Sequence, residues 1–153
     1  EYEMFLRNKP TKNLIERKVV LRKAKNIDAK EIAKQNSIYF DMKLNEEDVS
    51  IPDEEEKCGL ICYIAEVNNI IIGKVNISIT NSIGGIYGLG VLPKYRKKGY
   101  GREILILSIE KLKEKDTKDI MLQVSVKNKN ALNLYKSCGF KEVSTMDYYE
   151  IIK

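Results

Sequence analysis

The chain has no histidine and no tryptophan, three prolines, three cysteines, and no long apolar run. Each shortage removes a class of function. Without histidine there is no Ser-His-Asp triad, no Cys-His pair and no imidazole metal site, so a general base must come from Asp, Glu, Tyr or a bound water. Cys58, Cys62 and Cys138 are odd in number, and Cys58-x-x-x-Cys62 is not a Cys-x-x-Cys unit. With no histidine to complete a zinc site, the expectation is no metal and free, mostly buried thiols in a reducing compartment. The apolar stretches are too short to cross a bilayer, and no signal-peptide pattern is read at the start. A cytoplasmic protein without a membrane partner is expected.

What is present is an ordinary globular composition, 43% hydrophobic and 32% charged over 153 residues, enough for one domain with its own core. The net charge is +5. Nucleic acid uses such charge, and so does an anionic small ligand. The acidic run Asp53-Glu54-Glu55-Glu56 argues against a uniformly basic face, and no nucleic-acid partner is expected.

The most informative stretch is Val91-Leu92-Pro93-Lys94-Tyr95-Arg96-Lys97-Lys98-Gly99-Tyr100-Gly101-Arg102. An apolar strand, Ile86 to Leu92, stops at a proline. A basic loop with two glycines follows, and then a strongly helical pattern from Glu103 to Leu112. A cationic Gly-containing turn between a strand and a helix gathers backbone N–H groups at one point, where the helix dipole adds partial positive charge. The loop reads as a seat for a diphosphate. It is not a Walker A loop, since no hydroxyl residue follows, and it lacks the first glycine of the dinucleotide fingerprint.

Arg96-x-x-Gly99-x-Gly101 resembles the acetyl-CoA signature of the GNAT superfamily of N-acetyltransferases. Downstream, Asn128-Lys129-Asn130-Ala131-Leu132-Asn133-Leu134-Tyr135-Lys136-Ser137-Cys138-Gly139-Phe140 resembles the same family's second signature, one helix and one strand after the first. The resemblance covers about Lys18 to Lys153, strongly from Tyr87 to Phe140. It implies an α+β fold: a mixed, mostly antiparallel central sheet flanked by helices, with splayed middle strands that take the pantetheine arm. It implies acetyl-CoA as co-substrate and an amine of a small molecule or peptide as acceptor.

Site residues follow from the same resemblance. The main chain of Leu89, Gly90 and Val91 would hold the pantetheine. Arg96, Lys97, Lys98, Gly99, Tyr100, Gly101 and Arg102 would hold the diphosphate. Asn128 would bond CoA, and Tyr135 would act as the general acid that protonates the CoA thiolate. The family's strand glutamate has no counterpart in Gly85-Ile86-Tyr87-Gly88-Leu89-Gly90; Tyr87, Glu66, Asp147, Tyr148 and Glu150 are the conceivable bases. That gap keeps a second reading open, a catalytically silent acyl-CoA-binding module. An RNA-binding domain using Lys94 to Arg102 is the third, with only Tyr95 and Tyr100 available for stacking.

Along the chain, a short strand is predicted at Val19–Arg22. A helix from Ile27 to Tyr39, capped by Asn26 or Asp28, should bury Ile27, Ala29, Ile32, Ala33, Asn36 and Ile38. Residues 41–57 read as a loop or broken helix. Strands at Leu60–Val67 and Ile70–Thr80 flank an Asn68-Asn69 turn; Asn81-Ser82 and Gly84-Gly85 mark the next. Gly88 and Gly90 suggest a bulge or a close backbone approach. A strand at Ile120–Val126 closes a βαβ unit. The helix from Asn130 presents Ala131, Leu134, Tyr135 and Cys138 on one face and ends at Gly139. Phe140–Ile152 supplies the final strands. Residues 1–17 form an N-terminal extension to a domain at 18–153. Glu1-Tyr2-Glu3-Met4-Phe5-Leu6 loosely resembles Met146-Asp147-Tyr148-Tyr149-Glu150-Ile151, as the tail of a preceding, related domain would. A homodimer through a sheet edge is a further expected partner.

Overall fold

The computed structural model describes residues 2–6, 17–40, 51–124 and 129–145. Among these residues seven strands form one sheet: β1 (Tyr2–Leu6), β2 (Val20–Lys23), β3 (Leu60–Val67), β4 (Ile70–Thr80), β5 (Ile83–Val91), β6 (Asp119–Val124) and β7 (Phe140–Thr145). Four described helices flank it: α1 (Ala29–Phe40), α2 (Pro52–Lys57), α3 (Tyr100–Glu114) and α4 (Lys129–Ser137). The strand order is β2-β3-β4-β5-β6-β1-β7. Every neighbouring pair is antiparallel except β5 with β6. The mixed, mostly antiparallel α+β sheet predicted from the sequence is therefore the one observed.

Local chemistry accounts for the turns. Asn68 and Asn69 both take positive φ, 50° and 64°, as a two-residue hairpin turn requires. Asn81 and Ser82 do the same at 51° and 65°. Gly84 and Gly85, expected in that turn, are inside β5 instead. Their lack of a Cβ serves packing: at Gly84 one would sit 2.9 Å from Leu112 of α3, and at Gly85 one would sit 2.5 Å from the Tyr87 ring.

β4 lies at the centre with both faces covered, so Ile72, Gly73, Lys74 and Val75 are buried in succession and the alternation of a half-exposed strand is lost. α3 buries Ile104, Leu105, Ser108, Ile109 and Leu112, a stripe at helical spacing, against β4 and β5. This face joins Met4, Val75, Ile77, Ile86, Leu122 and Phe140 in the main core. α1 covers the other face of the sheet. Its register differs from the predicted one: Ile27 is 87% exposed and lies in a 3₁₀ turn before the helix, and Ile38 is also exposed. Ile32 and Gln35 are the buried positions.

Neither candidate cap acts as expected. Asp28 accepts the Lys25 N–H (2.8 Å) and pairs with Arg22 through both oxygens, which holds its carboxyl below the usual carboxylate range. Asn26 instead bonds Asp53 at the start of α2, through its side chain in both directions. Within 41–57, Pro52–Lys57 is a helix; residues 41–50 lie outside the described residues.

The first strand is interior to the sheet. β1 runs antiparallel to both β6 and β7, with Met4 opposite Leu122 and Glu142, and the Met4 side chain is fully buried.

Candidate active site

β5 and β6 pair only from Ile83↔Asp119 to Ile86↔Leu122. β5 continues to Val91 and β6 to Val124 without further pairing to each other, so the two middle strands part as the sequence reading expected. Where they part, β5 bulges. Lys74 pairs with Gly90 and Asn76 with Tyr87, which leaves Gly88 and Leu89 against Val75 alone. Gly88 has φ 57°, a conformation that favours glycine.

Beyond the bulge, Leu92 N–H donates to Ile72 O (2.8 Å). Backbone groups alternate sides along a strand, so those of Gly90 also turn toward β4, and those of Leu89 and Val91 turn toward the gap. The Val91 carbonyl accepts from Arg96 Nε at 2.9 Å. Gly90 is committed elsewhere: a Cβ there would lie 2.3 Å from the Tyr39 ring, and Gly90 O itself lies 2.2 Å from where a Cβ on Gly73 would be. Its glycine is explained by packing between α1, β4 and β5.

The loop starts with a 3₁₀ turn at Pro93–Tyr95 and enters α3 at Tyr100, with Gly99 as the N-cap residue. Lys97 and Gly99 have positive φ, 65° and 82°. Tyr95 N–H bonds Leu92 O and Arg96 N–H bonds Pro93 O; the next bonded amide is Glu103, to Gly99 O. Among the described residues, the N–H groups from Lys97 to Arg102 have no protein acceptor. Six consecutive free donors at a helix N-terminus, on a loop whose lysines and Arg96 are exposed, form a strongly anion-attracting group. Gly101 is not required sterically, since a Cβ there would make ordinary contacts of 3.7 Å with Leu134 and 3.8 Å with Val91. Those contacts show α4 and β5 meeting at the first turn of α3.

Arg102 reaches across to α4, donating from Nη2 to Ser137 Oγ at 2.8 Å. Lys94 lies over the Tyr95 ring. Tyr135, on the buried face of α4, packs edge-on against Phe140 with ring centroids 6.3 Å apart. Its hydroxyl has no hydrogen-bond partner among the described residues, and burial pushes its pKa up to about 12. It is therefore a protonated, unspent donor at neutral pH. Gly139, at φ 99°, ends α4 as expected.

Asn128 lies outside the described residues, as do Asp147, Tyr148 and Glu150. Of the other conceivable bases, Glu66 is tied to Arg22 Nε (3.2 Å) near the β2 edge, whereas Tyr87 stands on β5 one residue past its last pair with β6. Cys62 and Cys138 are buried and Cys58 is exposed, and all three are free thiols. Among the described residues no group of histidine, cysteine or carboxylate side chains is built to hold a metal, and no helix is long and apolar enough to cross a membrane. Sequence reading missed Tyr39 and Lys74, which line the bulge from the α1 side. The signal for Lys74 was present, one cation in the middle of an apolar, β-branched run.

Comparison with known proteins agrees with this geometry. The model of the Acetyltransferase (GNAT) family matches residues 28–140. An N-alpha-acetyltransferase of Sulfurisphaera tokodaii is 31% identical over 57% of this chain and 60% of its own length. A probable N-acetyltransferase of Drosophila melanogaster is 32% identical over 78% of this chain and 66% of its own. The chain thus spans less than two thirds of the length of these curated relatives. Among solved structures, an aminoglycoside N-acetyltransferase in complex with CoA superposes with TM-score 0.70 at 19% identity, covering 89% of this chain and 97% of that one. The family match spans most of the chain, and the folds agree; the chain belongs to the GNAT family of acetyltransferases.

Proposed function

We propose that the chain is an acetyl-CoA-dependent N-acetyltransferase that moves an acetyl group directly to a primary amine of a small molecule or peptide. The observation that carries this is the row of unsatisfied N–H groups from Lys97 to Arg102, beside a gap between β5 and β6 that opens at their foot. The diphosphate of CoA would accept from those donors, with Arg96, Lys97 and Lys98 adding screened attraction. The pantetheine would run along Leu89 and Val91, whose main-chain groups face the gap. The amine nitrogen then attacks the thioester carbonyl carbon, the C–S bond breaks, and Tyr135 gives its proton to the departing thiolate. The proton lost by the amine passes to water or to a base such as Tyr87. The N-alpha-acetyltransferase relative favours a peptide α-amine as acceptor.

A cytoplasmic location and a homodimer through a sheet edge belong to the same proposal. The silent-module reading draws on one observation, that β5 carries no carboxylate.

Isothermal titration with acetyl-CoA tests the seat. One-site saturable binding is expected, and Gly99→Asp should abolish it, because the new carboxylate would face the diphosphate from a left-handed position. Absence of binding by the unaltered chain at millimolar acetyl-CoA would overturn the proposal.

A further inference from the structure

β4 buries a cation. Lys74 is 0% exposed between Gly73 and Val75, which are also buried. Its register partners are Ile64 of β3 and Gly90 of β5, on the face that α1 covers with Ile32, Gln35 and the Tyr39 ring. Burial holds its pKa below the ordinary lysine value, against weaker opposing pulls from Cys62 of β3 and Glu55 of α2. An ammonium taken out of water is costly, and a methionine of similar length would fill the same volume without that cost. Stability alone therefore does not account for it.

A hydrogen bond to β5 gives the buried cation a use. Lys74 Nζ donates to Gly88 O at 3.1 Å. Gly88 is the bulged residue, so the ladder with β4 leaves its carbonyl over. The carbonyl of Gly88 and the N–H of Leu89 belong to one planar trans peptide and point in opposite directions. A carbonyl held by Lys74 therefore fixes the Leu89 N–H in the opposite direction, away from the Lys74 head group. Strand alternation read back from Leu92 puts that direction on the side of the gap between β5 and β6.

We propose that Lys74 is a positioning residue for acyl transfer. By holding the Gly88 carbonyl, it aims the Leu89 N–H at the thioester carbonyl of bound acetyl-CoA, which that N–H polarises as charge develops on the oxygen. Lys74 itself touches none of the reacting atoms. The inference rests on the acetyl-CoA reading above and adds the device that orients its electrophilic donor.

The test needs no acceptor. Acetyl-CoA labelled with carbon-13 at the acetyl carbonyl is bound to the full chain, and the carbonyl stretch is read by isotope-edited infrared difference spectroscopy. In the unaltered protein the stretch should move to lower wavenumber than in free acetyl-CoA. In Lys74→Met it should return toward the free value, while the Kd for unacetylated CoA stays within roughly threefold. Lys74→Gln, which keeps a polar side chain but falls short of Gly88, serves if the methionine variant fails to fold and should show the same return. An unchanged stretch in the variant would overturn the inference and leave the acetyl-CoA reading intact. Loss of CoA affinity by roughly tenfold or more would assign Lys74 a merely structural part and also overturn it. Failure of the unaltered chain to bind acetyl-CoA would remove the functional reading itself, and this one with it.

Discussion

Tyr135 carries two demands that rarely meet in one side chain. It fills the core beside Phe140, yet its hydroxyl is left without a protein partner among the described residues. A buried hydroxyl without a hydrogen bond costs stability, so removing it should be neutral or stabilising if packing were its whole purpose. Under the proposed function, Tyr135→Phe should lower kcat roughly 100-fold, the lower end of what general acid catalysis contributes, with the Kd for CoA and the melting temperature nearly unchanged. Equal turnover of the variant and the parent would return Tyr135 to the core and leave the thiolate's proton to another donor. The tyrosine was legible from the second signature, and Gly99 from the first. Lys74 was not flagged, because a lysine in a strand pattern normally marks an exposed edge. Its bond to the carbonyl of the bulge shows only in the assembled sheet.

Among the elements, β1 departs furthest from a reading along the chain. Five residues from its very start are inserted between β6 and β7, hydrogen-bonded on both sides. Alternation within so short a strand says nothing about which neighbours it will find, and local pattern favours pairing with the next strand rather than one over a hundred residues away. Since Met4 is fully buried against the main core, Met4→Ala should cost about 2–5 kcal/mol of stability in urea unfolding, as large-to-small core changes do. A loss below roughly 0.5 kcal/mol would show the strand to be dispensable. α1 offers a smaller example of the same limit. Its helical character was readable, but its facing was not, because its inward face is partly polar: Gln35 is buried and Tyr39 bonds it at 2.7 Å, while Ile27 and Ile38 face water. α4, whose inward face is largely apolar, was read in the correct register.

For the whole molecule, the net charge of +5 is concentrated where it bears on the ligand, with Lys94, Arg96, Lys97, Lys98 and Arg102 on one loop and the first turn after it. The acidic run Asp53-Glu54-Glu55-Glu56 is held on α2, which packs against β3 and the 3₁₀ turn before α1. Exposed charges act over about 10 Å at 0.1 M salt. Affinity for CoA should therefore weaken by roughly 1 kcal/mol, about fivefold, between 50 and 500 mM salt, and less for dephospho-CoA, which carries fewer charges. A salt-independent Kd would mean that the amide donors alone hold the anion.

The sequence by itself determined the family, the order of most elements, the hairpin turns at Asn68-Asn69 and Asn81-Ser82, the strand–loop–helix unit and the presence of a break in β5. These are local matters, written in side-chain period, in residues that tolerate positive φ and in motif spacing. The tertiary structure alone decided where β1 lies, which face of α1 is inward, and that the β5 break is a bulge whose spare carbonyl is taken by a lysine from the next strand. Each of those depends on groups far apart in sequence competing for the same buried hydrogen bonds and volume, and that competition is resolved only when the whole sheet has assembled.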